Sequence, residues 1–213
     1  MIDLNRYHNI DCMEFMSGVP DGFFDLCIID PPYGIGISEN INKIPRKNKY
    51  KIKKWDKKIP EQKYFDELFR ISKNQIIWGG NFFINRINKN SPCWIVWDKN
   101  NGKSNFADCE LAWTSFKSPI RKIKKTWCGS SAKHETKTDR IHPTQKPIFL
   151  YRWLLQNYAK PGDKIFDSHV GSASSLIACI EEGFDYVGCE LDPDYYRDSV
   201  VRIETHKQQG KLF

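Results

Sequence analysis

The sequence lacks any apolar run of the roughly 18 residues that a membrane-spanning helix requires. Its opening, Met1-Ile2-Asp3-Leu4-Asn5-Arg6, also lacks the basic-then-apolar plan of a secretory signal. Both absences predict a soluble, cytoplasmic protein with no membrane partner. There is no Cys-x-x-Cys pair. The seven cysteines (Cys12, Cys27, Cys93, Cys109, Cys128, Cys179 and Cys189) are odd in number and widely spread, which argues against a zinc or dithiol motif and predicts reduced, mostly buried thiols. Internal repeats are absent, and so is a full Gly-x-Gly-x-x-Gly fingerprint. What is present is enough apolar material for one sizeable core: 213 residues, 40% hydrophobic and 14% aromatic, which predicts a single domain over residues 1–213.

The net charge of +7 is unevenly placed. Nine basic residues (Lys43, Arg46, Lys47, Lys49, Lys51, Lys53, Lys54, Lys57 and Lys58) lie between positions 43 and 58 against one acid, Asp56. A second run, Lys117, Arg121, Lys122, Lys124 and Lys125, contains no acid, so the rest of the chain is net acidic. An acidic body carrying two basic segments suits a protein that lays those segments on a phosphate backbone. Solvated lysine-rich loops without a partner are the plainer alternative. The first segment, a basic loop over about 36–60, reads as mobile in the free protein.

Strand-like apolar runs occur at 24–29, 75–78, 94–97, 111–115, 164–166 and 186–189, and helical spacing at 60–70, 147–158 and 174–182. Their alternation predicts an α/β fold with a mostly parallel sheet, and the close runs at Trp94 and Leu111 predict an antiparallel strand pair.

Two stretches carry chemistry. The run from Lys164 to Leu176 passes from a strand through small residues (Gly171, Ser172, Ala173, Ser174) into a helix, where close backbone approach and free N–H groups favour a polar ligand. Glu190 ends the next strand about 20 residues later, where a carboxylate can accept from a ribose diol. That is a nucleoside-binding layout, shared at this level with dehydrogenases. The other stretch is Asp30-Pro31-Pro32-Tyr33-Gly34, directly after a strand. Its prolines fix φ and withhold N–H groups, Asp30 adds a carboxylate acceptor and Tyr33 an aromatic face, so it can hold a planar base bearing an amino group. A proline-stiffened loop with a capping Asp is the bland alternative.

Asp30-Pro31-Pro32-Tyr33 resembles the catalytic tetrapeptide of amino-methylating DNA methyltransferases. His142-Pro143-Thr144-Gln145-Lys146-Pro147, followed by Phe166-Asp167-x-x-x-Gly171-Ser172, is similar to their beta subgroup, in which the catalytic motif precedes the cofactor motif. The resemblance runs from Asn9-Ile10-Asp11-Cys12 through Trp94-x-x-Trp97-Asp98 and Glu110-x-x-Trp113 to Asp192. In its compact form the chain is similar to methylases of phages and prophages, which implies the cytoplasm of a bacterial or phage-infected cell.

The resemblance implies a Rossmann-like methyltransferase fold, S-adenosylmethionine as cofactor, double-stranded DNA as partner and no metal. It places Asp30, Pro31, Pro32 and Tyr33 on the target base, and Asp11 near the cofactor's adenine with Cys12. Asp167, Gly171, Ser172 and Ala173 would line the methionine end, Glu190 would hold the ribose, and Lys146 would lie close to the cofactor carboxylate, with Asp30 and His169 also among the cofactor-binding residues. DNA would be met by Lys43, Arg46, Lys47, Lys49, Lys51, Lys53, Lys54, Lys122, Lys124 and Lys125, with a target-recognition region over about 116–141. The family loop usually reads Asp-Pro-Phe-x-Gly-Ser-Gly; here Ser168, His169 and Ala173 depart from it, and the Ala173 methyl is expected where backbone and cofactor come close. His169 reads as a flat packing group rather than a proton carrier, and His142 as structural rather than a base. Cys93, although it follows Pro92, is not read as a nucleophile. The Asp of the tetrapeptide favours N6 of adenine; N4 of cytosine is the alternative, as is a catalytically weak DNA-binding protein on the same scaffold.

Overall fold

The computed structural model describes residues 2–40, 50–101, 107–127 and 140–210. Among the described residues eight strands form one sheet: β1 (Arg6–Asn9), β2 (Phe24–Ile29), β3 (Ser72–Trp78), β4 (Trp94–Asp98), β5 (Cys109–Thr114), β6 (Arg121–Lys124), β7 (Lys164–Asp167) and β8 (Asp185–Glu190). Their spatial order is β1-β8-β7-β2-β3-β5-β4-β6. Every pairing is parallel except those of β5, which runs against both β3 and β4. The expected mostly parallel sheet and the antiparallel pairing of the Trp94 and Leu111 runs are both present.

The helices are α1 (Cys12–Ser17), α2 (Ile37–Asn40), α3 (Gln62–Ile71), α4 (Ile84–Ile87), α5 (Ile148–Tyr158), α6 (Ser174–Glu182) and α7 (Pro193–Gly210). Strand side chains alternate between two apolar layers, as period-2 geometry requires. Leu26, Ile28, Ile76, Trp78 and Ile165 pack with Leu150, Leu154, Leu176 and Ile177 of α5 and α6. Cys27, Ile29, Ile77, Phe166 and Val187 pack with Met16 of α1 and Phe65, Leu68 and Ile71 of α3. Both faces are thus covered, which is why the strands read as apolar runs. β1 and the edge strand β6 escaped the sequence reading because each has four residues with exposed or half-buried side chains. No helix among the described residues is long and apolar enough to cross a membrane.

The chain moves from β2 through α3 to β3 on one side, and from β7 through α6 to β8 on the other. Strand order therefore reverses between β2 and β7, and in such sheets the carboxyl ends of the strands at that point are the usual place for a site.

Gly188, in the middle of β8, shows how closely the sheet and α6 meet. A Cβ on it would lie 2.7 Å from Val170 Cγ2 and 3.0 Å from Leu176 Cδ1. Gly188→Ala is expected to cost about 1–3 kcal/mol by overpacking and to lower the melting temperature by several degrees in a thermal scan. An unchanged midpoint would mean that α6 can move away from the sheet.

Candidate active site

The strand ends bring four acids to one edge of the sheet. Asp11 follows β1, Glu190 ends β8, Asp167 ends β7 and Asp30 follows β2, and these strands are successive neighbours. The residues expected to handle a nucleoside and those expected to handle a base are therefore adjacent, although Asp30 and Asp167 are far apart in sequence.

At the base side, Asp30 is held at both oxygens. The Tyr33 hydroxyl donates to Oδ1 at 2.6 Å, and Lys146 Nζ lies 2.6 Å from Oδ2. Lys146, with 6% of its side chain exposed, also pairs with Glu110 Oε2 at 3.1 Å and donates to the Tyr33 hydroxyl at 3.1 Å. Burial alone would lower the Lys146 pKa, but Asp30 and Glu110 outweigh it and raise it. Burial would likewise raise Glu110, yet Lys146 and Lys99 hold its carboxyl down at about 2; Lys99 lies 2.5 Å from Glu110 Oε1. Lys146 is thus engaged with Asp30 and Glu110. Glu110 reaches the site because β5 is reversed: its amino end lies at the edge where the parallel strands have their carboxyl ends.

Tyr33 is tightly seated. Its ring stacks on Phe82 at 4.9 Å and 17° and meets Phe83 edge-on at 5.9 Å, so one face of the expected stacking platform already has a neighbour. A Cβ on Gly79, whose φ is +69°, would come 2.3 Å from the Tyr33 ring, so only glycine fits both the left-handed backbone and the contact. Pro31 is buried and Pro32 half-buried. Asp56, the acid within the basic segment, accepts from the Tyr33 and Gly34 N–H groups at 2.8 and 2.9 Å.

The side expected to hold the cofactor is acidic. Asp167 is 2% exposed, accepts from His169 N–H at 2.9 Å and from the Ser175 hydroxyl at 2.5 Å, and is pushed up to about 7, first by burial and further by Asp30 and Glu190. Glu190 accepts from Gly171 N–H and Asp192 N–H at 2.8 and 2.9 Å and is raised, chiefly by burial. Arg202, 3% exposed on α7, donates to the Ser172 carbonyl and the Ser174 hydroxyl and so anchors the loop from below. Asp11 caps α1 by accepting from Met13 N–H at 2.7 Å. The Cys12 thiol is pushed up to about 12 by burial and so stays protonated.

The three departures in the loop have physical readings. Ser168 exchanges hydrogen bonds with Tyr64 and His169 at 2.7 and 2.8 Å. His169 sits edge-on to Tyr64 and is lowered to about 4 by burial, so its ring is neutral and packs. Ala173 has a φ of +62°, is fully buried and joins the apolar cluster against α6. Its methyl packs within that cluster; the strain of the left-handed backbone, about 1–2 kcal/mol, remains. His142, lowered to about 3 by burial, is neutral and packs 4.3 Å from the Tyr195 ring and 5.2 Å from that of Trp55. Cys93 is fully buried, with Ser118 Oγ donating to its sulfur at 3.1 Å, and plays no part at this edge.

The basic residues separate. Lys43, Arg46, Lys47 and Lys49 lie outside the described residues, as does much of the expected recognition region over 116–141. Residues 50–58 are folded onto the body rather than free. Lys53 is paired with Asp192 and Asp194 and lies over the Tyr195 ring at 4.4 Å, with 15% of its side chain exposed, which removes it from the set open to phosphates. Lys51 pairs with Asp194 but is 76% exposed. Lys54, Lys122, Lys124 and Lys125 are exposed, the second pairing with Asp98 at 3.5 Å. Among the described residues no group of three or more potential ligands is placed to hold a metal. Lys99, Glu110, Asp56 and Phe82 belong to this site and were not among its expected residues; Glu110 lay inside a matched stretch, and nothing in local spacing marked the others.

Residues 114–201 match the family model described as DNA methylase. The chain is similar to YubD of Escherichia coli (strain K12), at 23% identity over 229 residues that cover 97% of this chain and 95% of that protein. Among solved structures it is similar to the M1.HpyAVI–SAM complex, with a TM-score of 0.63, 18% identity and coverage of 93% of this chain and 98% of that one. It is also similar to the cytosine-N4-specific PvuII DNA methyltransferase, with a TM-score of 0.62, 14% identity and coverage of 98% and 92%. These structural likenesses bear out the methyltransferase fold that the sequence resemblance implied.

The depressed Glu110 carboxyl makes a signed prediction. A folded pKa near 2 against an ordinary value of 4.5 gives stability that is present above pH 4.5 and lost as pH falls toward 2, worth about 3 kcal/mol at most. Glu110→Gln is expected to be less stable than the wild type at neutral pH in chemical denaturation, with the gap narrowing below pH 4.5. A gap that stays constant from pH 7 to pH 3 would show that the carboxylate's charge is not what holds Lys146.

Proposed function

We propose that the chain, whose residues 114–201 match the family model described as DNA methylase, is an amino-methylating DNA methyltransferase that transfers a methyl group from S-adenosylmethionine to N6 of adenine in double-stranded DNA. The observation that carries this reading is the adjacency of Asp30, fixed by Lys146 and Tyr33, to a pocket edge of carboxylates at Asp167 and Glu190.

The acidic edge fits the cofactor. Asp167 and Glu190 are buried with their pKa values raised, and their hydrogen bonds come from backbone N–H groups and a hydroxyl. A ligand bearing cationic groups relieves the repulsion at Asp167, while Glu190 accepts from a ribose diol. When bound, S-adenosylmethionine supplies an electrophilic methyl group on a sulfonium. The chain's own residues hold the nucleophile. Asp30 and the Pro31 carbonyl accept the two N–H groups of the base, pulling the amino nitrogen toward tetrahedral geometry and localising its lone pair. Tyr33 and Phe82 offer an aromatic edge to a base taken out of the stack. Lys146 holds Asp30 in place through its ion pair, and positioning supplies most of the rate. Exposed Lys51, Lys54, Lys122, Lys124 and Lys125, with Lys43, Arg46, Lys47 and Lys49, are assigned to phosphates.

Methylation of the cytosine amino group is the second reading, favoured by the likeness to the cytosine-N4-specific PvuII enzyme, since the same two acceptors fit either amino group. The deciding experiment incubates the protein with labelled S-adenosylmethionine and unmethylated DNA and identifies the modified nucleoside. N6-methyladenine is expected; N4-methylcytosine would replace adenine as the substrate, and no transfer to DNA would sink the activity itself.

The two halves of the site should separate by mutation. Asp30→Ala is expected to abolish transfer with cofactor affinity largely intact, whereas Glu190→Ala should weaken cofactor binding by about 1–3 kcal/mol, the range for losing charge-assisted hydrogen bonds. Calorimetry on both variants checks this, and equal affinities for Glu190→Ala and wild type would move the ribose elsewhere.

A further inference from the structure

Asp56 is the lone acid among the nine basic residues of 43–58, and the chemistry above gives it no part. Its side chain is nonetheless 1% exposed. Oδ1 accepts from Tyr33 N–H at 2.8 Å and Gly34 N–H at 2.9 Å, and Oδ2 accepts from Ile37 N–H at 2.8 Å. Its carbonyl accepts from Gly36 N–H at 2.9 Å, and its own N–H donates to Ser38 Oγ at 3.4 Å. One residue is thus bonded to five positions between 33 and 38.

The loop needs such an outside clamp. Pro31 and Pro32 withhold their N–H groups, and Gly34 and Gly36 turn left-handed at φ +71° and +67°, so the loop offers little that could hold its own path. Three backbone N–H groups on one carboxylate make charge-assisted bonds that fix direction as well as position. The chain beside Asp56 is itself pinned: Lys53 to Asp192 and Asp194, and Lys57 to Glu39 at 3.3 Å.

We infer that Asp56 is a positioning residue for methyl transfer: by clamping the backbone at Tyr33, Gly34 and Ile37 it sets the shape of the base-binding loop, and ties that shape to the basic segment in which it lies. The inference rests on the proposed reaction. Phosphate contacts at exposed Lys54, Lys57 and Lys58, on either side of Asp56, are then transmitted to Tyr33.

The test is Asp56→Asn, which is nearly isosteric but turns an amide donor toward one of the three N–H groups. With labelled S-adenosylmethionine and unmethylated genomic DNA, turnover at saturation is expected to fall about 10- to 100-fold, the cost of misplacing a reacting group by about an ångström. The cofactor dissociation constant should stay within about twofold, since the clamp lies on the base side. Combined with Tyr33→Ala, the loss should be less than additive, because both changes act through one loop. Amide exchange at Tyr33, Gly34 and Ile37 should accelerate in Asp56→Asn. Unchanged turnover, full additivity with Tyr33→Ala, or retained amide protection would each overturn the inference. If the wild type transfers no methyl group, the proposed reaction falls and amide exchange alone decides the clamp. Should Asp56→Asn not fold, Ser38→Ala, which removes the acceptor of the Asp56 N–H, is expected to give smaller losses in the same direction, and wild-type turnover and exchange would overturn it.

Discussion

The site depends on one geometric constraint: parallel strands end at the same edge of a sheet, so the acids that follow them are forced together. Asp11, Glu190, Asp167 and Asp30 arrive there from four neighbouring strands. Like charges gathered in a crevice cost free energy unless something offsets them. The fold offsets them unequally. Asp30 receives the ammonium of buried Lys146, whereas Asp167 and Glu190 receive backbone N–H groups and a hydroxyl and are left with raised pKa values. This edge of the sheet is therefore neutralised at Asp30 and left acidic at Asp167 and Glu190.

That division is maintained by the one reversed strand. β5 carries Glu110 to the far side of Lys146, and Lys99 in turn balances Glu110, so charges alternate along Lys99, Glu110, Lys146 and Asp30. A buried lysine shared between two carboxylates is geometrically restrained in a way that a single pair is not. Breaking such a chain at one member strands the others without partners, the costliest way to disturb a buried ion pair. A parallel β5 would place Glu110 at the opposite edge of the sheet.

The loop after β7 tolerates its unusual residues for local reasons. His169 is neutral and packs against Tyr64, Ser168 completes a hydroxyl pair with Tyr64, and the Ala173 methyl is absorbed by the apolar layer. None of the three puts a new charge into the pocket. The loop's shape is therefore held by compensation around it rather than by its own sequence.

Much of the fold was legible in the sequence because two-sided burial writes a strand as a continuous apolar run, and β2, β3, β7 and β8 were read that way, while α6 was read from its helical spacing. Short edge strands such as β1 and β6, with polar outer faces, carried no such pattern. The base loop at Asp30-Pro31-Pro32-Tyr33, the small-residue turn at Gly171 and the acid at Glu190 were also visible, since a local motif fixes backbone shape and donor type within a few residues. Which cation met which acid was not visible. Lys146 on Asp30, Lys53 on Asp192, Glu110 behind Lys146 and Asp56 under Tyr33 are contacts between residues 23 to 139 positions apart, and they exist only once strand order and direction are set. The sequence determined which groups the site would contain; the tertiary structure decided their pairing, because the energy of a charge depends on its neighbours in space and its burial, and neither is a local property of the chain.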